Sequence, residues 1–161
     1  MALVDYFLKL DDIKGESADA KHKDEIEIES WSWGETQTAA RRTGGGAGAG
    51  KVSMQDFHFV MRFNAASPSL MKSCASGQHI KVATLTARKA GKDQQEFLTI
   101  KFSDVLVSSY QTGGSEGSDV PFDQISLNFA KIEVEYKRQG KDGTAAPGGT
   151  FGFDLKSNKS L

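Results

Sequence analysis

Apolar residues recur at every second position along most of this chain, and in two places the recurrence changes phase. Val4, Tyr6, Leu8 and Leu10 predict a first strand, because side chains alternate strictly between the two faces of a strand. Ile26 and Ile28 then place the apolar side on even positions, with Glu25, Glu27 and Glu29 opposite. Past Ser30 the phase reverses: Trp31 and Trp33 take odd positions, and Ser30 and Ser32 take even ones. In the stretch Ile125 to Gln139 the same thing happens, from Ile125, Leu127 and Phe129 to Ile132, Val134 and Tyr136. A strand with one buried face keeps one parity, so each reversal predicts either a β-bulge or a strand that is apolar on both faces in turn.

Between these lie further elements. Phe57, Phe59, Met61 and Phe63 share one face of a strand, with His58 and Arg62 on the other. One short helix is predicted, with Ser67 as N-cap, Pro68 at its first position, Leu70, Met71 and Cys74 on one apolar face, and Gly77 as its stop. "HIKVATLTARKAG" and "QEFLTIKFSDVLVSSYQ" predict a hairpin turning at Gly91, Lys92 and Asp93, and Phe151, Phe153 and Leu155 predict a last strand. "RRTGGGAGAGK", from Arg41 to Lys51, carries too little side chain to pack and is predicted as a surface loop. About seven strands and one short helix favour a sandwich or closed barrel, since closure removes unpaired edges. The expected fold is all-β: a compact β-barrel of two packed, largely antiparallel sheets with one short α-helix and an extended glycine-rich loop. It is read as one domain over residues 1–161.

Composition fits this picture. The 161 residues suffice for a real core, and 17 glycines with only three prolines and ten phenylalanines suit a β domain with generous loops. Twenty basic residues nearly balance 21 acidic ones, so nothing calls for nucleic acid or an anionic membrane as partner. A single cysteine excludes an internal disulfide. "MALVDYFLKLDD" lacks the basic start and unbroken apolar run of a cleaved signal peptide. No stretch approaches the roughly 20 apolar residues of a helical membrane span.

Candidate chemistry is sparse. Gly45, Gly50 and Lys51 match most of a phosphate-binding loop, but Val52 stands where a Ser or Thr must hold magnesium, and the loop opens onto a strand pattern. His22, His58 and His79 lie in separate segments without metal-ligand spacing, and no cysteine pair exists for zinc. Cys74 reads as a small core residue, and Glu25, Glu27 and Glu29 as a solvated or partner-paired acidic row. Ser108 and Ser109 lack a nucleophile elbow. The reading is of a non-enzyme, with no catalytic residue, metal or cofactor.

Several segments carry a family resemblance. They are "FLKLDDIKGES" (Phe7 to Ser17), "SWSWG" (Ser30 to Gly34), "ASPSLMKSCASGQHI" (Ala66 to Ile80), "LTARKAG" (Leu85 to Gly91), "SDVLVSSYQTGGS" (Ser103 to Ser115), "SLNFAKIEVEY" (Ser126 to Tyr136) and "FGFDLKSNK" near the end. In this order, from near Met1 to about Asn158, the chain resembles the haemolysin-coregulated proteins (Hcp), which form the inner tube of bacterial type VI secretion systems. The resemblance implies a homo-hexameric ring, stacked into a hollow tube that a contractile sheath drives out of the cell. Its further partners would be a VgrG-type spike protein at the tip and small effector proteins in the lumen. It also implies synthesis in the bacterial cytoplasm and export without a cleaved signal.

On that basis Ser30 and Ser32 are expected to face the lumen, where small hydroxyls leave room and offer hydrogen bonds. Trp31 and Trp33 would then point into the core or a lateral seam. Arg41, Arg42, Gly44, Gly45, Gly46, Gly48, Gly50 and Lys51 would form a loop reaching a neighbouring subunit or ring. The rival readings are a phage-type tail tube subunit, a monomeric ligand-binding barrel and a nucleotide-dependent enzyme.

Overall fold

The computed structural model describes residues 3–37, 51–91, 94–140 and 145–161. In chain order the elements are β1 (Val4–Leu10), β2 (Ile26–Glu27), β3 (Ser30–Ser32), β4 (Glu35–Gln37), β5 (Val52–Met54), β6 (Phe57–Arg62), α1 (Ala66–Ser76), β7 (His79–Lys89), β8 (Glu96–Gly113), β9 (Phe122–Asn128), β10 (Lys131–Gln139), β11 (Ala145–Asp154) and β12 (Lys159–Ser160).

The 18-residue β8 is the spine. One of its edges pairs with β7, which leads on to β1 and β2; the other pairs with β10 over its first half and β9 over its second. From β9 the ladder continues to β6 and β3, and from β10 to β11 and β12. Every pairing is antiparallel. The result is one ten-stranded, branched sheet plus a separate β4–β5 hairpin. The expected barrel of two packed sheets is therefore corrected. The chain is mostly β with one short helix, but a single strand long enough to serve two sets of neighbours merges the two sheets into one. The ladders form an open, branched order.

Both phase reversals now have a cause. Ile28 N–H donates to Tyr6 O on β1 at 3.0 Å, and the next amide, Glu29 N–H, donates to Val60 O on β6 at 2.9 Å. The chain changes neighbour at a bend at Glu29, where Glu29 and Ser30 are exposed in succession. Two consecutive outward residues reset the parity, so Trp31 and Trp33 return to the same core as Ile26 and Ile28. What reads as one strand in the sequence is thus three short ones. In the second case Phe129 and Ala130 interrupt β9 and β10, which both pair with β8: Asn128 stands opposite Leu106 and Lys131 opposite Ser103. The outer neighbour changes there from β6 to β11.

The core follows the alternation. Phe57, Phe59 and Phe102 are fully buried, and rings meet at 4.8 Å between Phe57 and Phe102 and again between Phe102 and Phe129. Each such ring contributes roughly 2–3 kcal/mol of burial. Phe63, expected on the same face, lies past the end of β6 and is 38% exposed.

The helix begins two residues earlier than expected, with Ala65 at the N-cap and no side-chain cap. Ser67 cannot cap because its hydroxyl serves Asp123, and Asn64 Oδ1 takes the Ala66 amide instead. Gly77 ends the helix at φ 69°, the left-handed turn that glycine adopts without cost. Of the expected apolar face Leu70 is buried, while Met71 and Cys74 are half-buried.

The polar segment after β1 is more constrained than a surface loop. Gly15 N–H donates to Asp24 O at 2.7 Å, and a Cβ at Gly15 would sit 2.5 Å from Glu25 O. Arg88, 3% exposed, binds both Asp19 oxygens at 3.0 and 2.7 Å and Asp5 at 3.3 Å, with its guanidinium 4.8 Å over Phe7. His22 stacks on the same ring at 4.3 Å, and its nitrogens meet Glu25 at 3.0 Å and Glu96 at 2.8 Å.

Candidate functional site: a polar wall across four strands

Ser30 and Ser32 project outward from β3, and the register extends each into a row. Ser30 stands opposite Val60, which faces Gln124, which faces Gln111; Ser32 stands opposite His58, then Ser126, then Ser109. A bulge at Ser108 keeps the second row aligned. The rows cross β3, β6, β9 and the second half of β8. Ser30, Ser32, Gln111 and Gln124 are exposed, and the others are half-buried.

The opposite face of these strands carries the core. Trp31 lies edge-on to Tyr6 at 6.0 Å and 6.0 Å from Phe57, and Trp33 packs on the same cluster. One buried face and one hydroxyl- and amide-bearing face is what an alternating strand produces when its outer side meets water.

The wall is held by its own hydrogen bonds. His58 Nδ1 lies 3.1 Å from Ser126 Oγ. Ser108 Oγ donates to Asp56 Oδ2 at 2.6 Å, and Asn128 Nδ2 donates to Asp56 Oδ1 at 3.0 Å. The histidine thus reaches one serine and the carboxylate another, so no serine, histidine and acid align in a single relay. The surface can donate and accept hydrogen bonds without strong charge, and it holds no assembled nucleophile.

The remaining candidates disperse. Arg41, Arg42, Gly44, Gly45, Gly46, Gly48 and Gly50 lie outside the described residues. Lys51 is exposed and runs directly into strand β5, so the loop does not end at the helix N-terminus that phosphate cradling requires. The acidic row splits: Glu25 turns to His22, while Glu27 and Glu29 line a hollow of about 270 Å³ with Glu16, Arg62, Phe63 and Asn64. His79 and Lys156 both bind Asp104, at 2.7 and 2.8 Å. Lys156 first, then His79, hold the Asp104 carboxyl below its ordinary range. Among the described residues no cluster of His, Cys, Asp and Glu is arranged to hold a metal. No helix in the described residues is long and apolar enough to cross a membrane.

Sequence reasoning singled out Ser30 and Ser32, which the fold leaves exposed, but not the rest of the wall. Ser126, Gln124, Ser109 and Gln111 join it only through strand register, which is not a local signal.

Comparison with known proteins gives a consistent answer. Residues 7–136 match the family described as "Type VI secretion system effector, Hcp". Protein hcp1 of Pseudomonas aeruginosa is 50% identical over 158 residues, covering 96% of this chain and 97% of that protein. The crystal structure of Hcp1 from Salmonella typhimurium superimposes with a TM-score of 0.82 at 38% identity, over 99% of this chain and 100% of that one. A structure described as a type six secretion system protein gives a TM-score of 0.90 at 32% identity, over 98% and 99% of the two chains.

Proposed function

The chain belongs to the Hcp family of type VI secretion proteins, a structural rather than enzymatic family, and from that membership we propose that it is a subunit of the secretion tube. In this reading it is a single domain over residues 1–161 that assembles into hexameric rings. The rings stack into a hollow conduit, with a spike protein of the VgrG type at the tip and a contractile sheath outside. The tube leaves the bacterial cytoplasm without a cleaved signal and engages neither nucleic acid nor a bilayer.

The observation that carries this reading is the polar wall. Four adjacent strands turn serine, glutamine and histidine outward while their other face fills the core. A lumen lining needs such a surface: it passes or holds folded cargo through hydrogen bonds, without an apolar patch that would trap it. Small effectors would lie against Ser30 and Ser32. Arg41 to Lys51 is proposed to reach an adjacent subunit or ring, and Trp31 and Trp33 to brace the wall from the core.

The test is the mass and shape of the purified protein. Light scattering at six times the chain mass, with six-fold rings in negative-stain micrographs, is the expected result. A monomer at all concentrations would overturn the tube reading in favour of a monomeric barrel.

A further inference from the structure

Both edges of the spine change neighbour between Ser103 and Leu106. On one edge Ser103 is the last residue opposite β10, through Lys131, and Leu106 the first opposite β9, through Asn128. On the other edge β7 gives out at the same place, since His79, its first residue, stands opposite Leu106. Between them lies Asp104, with φ 55°. Asp12, Asp24 and Asn158 share that left-handed conformation, but they sit in turns. Among the described residues Asp104 is the one non-glycine residue that adopts it inside a strand. Aspartate tolerates this region better than most residues, and a residue there turns the chain out of straight extension.

The Asp104 carboxylate is gripped from both edges of this joint. His79 Nδ1, on β7, lies 2.7 Å from Oδ1, and Lys156 Nζ, in the turn between β11 and β12, donates to Oδ2 at 2.8 Å. The same turn is tied to the joint through the backbone. Leu155 N–H donates to Ala130 O at 2.8 Å, and Ala130 N–H donates to Ser103 O at 3.0 Å. Both ion pairs are exposed, so they add little to overall stability. Their position gives them a different use, because they converge on the residue at which the spine passes from one set of strands to the other.

We propose that Asp104 is a hinge in the spine and that His79 and Lys156 are its clasp. Closed, the clasp holds the half-sheet that carries the polar wall at a fixed attitude to the arm formed by β10, β11 and β12. Opened, it frees the two to turn about Asp104, where β10 and β9 meet β8 end to end and not as one continuous strand. The proposal does not depend on the tube reading.

Spin labels read the angle. Gln111→Cys on the wall and Lys159→Cys on β12, both at exposed positions, place one label on each half in a Cys74→Ser background. Electron–electron distance measurement, with labelled chain diluted in unlabelled chain so that only pairs within one chain are read, should give one narrow distribution. The double variant His79→Gln/Lys156→Gln should broaden it several-fold while circular dichroism stays unchanged, because both side chains are exposed. Asp104→Ala should broaden it and shift its mean, since alanine lacks both the carboxylate and the tolerance for a left-handed backbone. Lys81→Gln, a charge removed from an exposed neighbouring position on β7, should leave it narrow. A distribution as narrow in the double variant as in the parent overturns the clasp, and so does a broad distribution in the parent. Equal broadening by Lys81→Gln would assign the effect to net charge and overturn it likewise. The distance is read within one chain in monomer and ring alike, so failure of the clasp leaves the tube reading standing.

Discussion

Ser67 Oγ donates a 2.6 Å hydrogen bond to Asp123 Oδ2, and both residues are fully buried between the helix and β9. The serine that local pattern assigns to capping is instead the partner of a core carboxylate 56 residues away. Ser67→Ala would leave a buried acceptor without its donor, a loss of about 1–3 kcal/mol. Urea denaturation should show that loss. A variant as stable as the parent would mean that Asp123 finds another donor.

Tyr110 lies near this pair, its hydroxyl buried without a hydrogen-bond partner among the described residues. Burial first, then the nearby Asp123 carboxylate, push its phenol up to about 12. A folded-state value raised above the unfolded value means that the contribution to stability is complete below about pH 10 and is lost as pH rises toward 12. Ultraviolet titration should therefore resolve one of the three tyrosines as late-ionising. Tyr110→Phe should remove that step and flatten the alkaline fall in thermal stability.

Asp19 supplies the opposite case. Its hydrogen bond to Arg88, followed by the Lys21 amide, holds its carboxyl well below the usual carboxylate range. For a depressed group the contribution is present above the ordinary value of 3.8 and disappears as pH falls through the lower folded value. Asp19→Asn should lower the melting temperature near neutral pH and make the acid limb shallower. Asp104→Asn should do so less, because Asp104 is 40% exposed and its partners Lys156 and His79 are 73% and 62% exposed. Equal acid limbs for Asp19→Asn and the parent would rule out the Arg88 clasp as their source.

The phase reversal at Ser30 was legible in the sequence; its cause was not. Apolar spacing marks that Trp31 leaves the parity of Ile28, but the neighbour change from β1 to β6 is a relation among three distant segments. The same limit hid the 18-residue β8 serving two sets of strands, and the clasp that makes a polar stretch near Asp19 rigid. Gly77 was legible because a left-handed helix end is a local demand. Deleting Glu29 tests the cause directly. With one outward residue removed, Trp31 and Trp33 fall into plain alternation with Ile28 and keep facing the core, but the segment loses the residue at which it passes from β1 to β6. Tryptophan fluorescence should stay unshifted while stability falls by a large margin. Parental stability would show that the bend is dispensable.

The last prediction concerns the wall itself. Ser32 shares a row with His58, Ser126 and Ser109, and His58 is already engaged with Ser126. A longer amide at residue 32 would therefore project away from the row, into the space a cargo protein would occupy, while Trp31 and Trp33 stay packed beneath. Ser32→Gln, and more so the double Ser30→Gln/Ser32→Gln, should leave ring mass and melting temperature unchanged. Co-purified effector should drop several-fold. A comparison change outside the wall's four strands, Lys159→Gln on β12 at the end of the strand path, should leave cargo untouched. If Ser32→Gln yields monomers, the residue sits in a seam between subunits. If rings form and cargo is retained in full, the wall does not line the conduit.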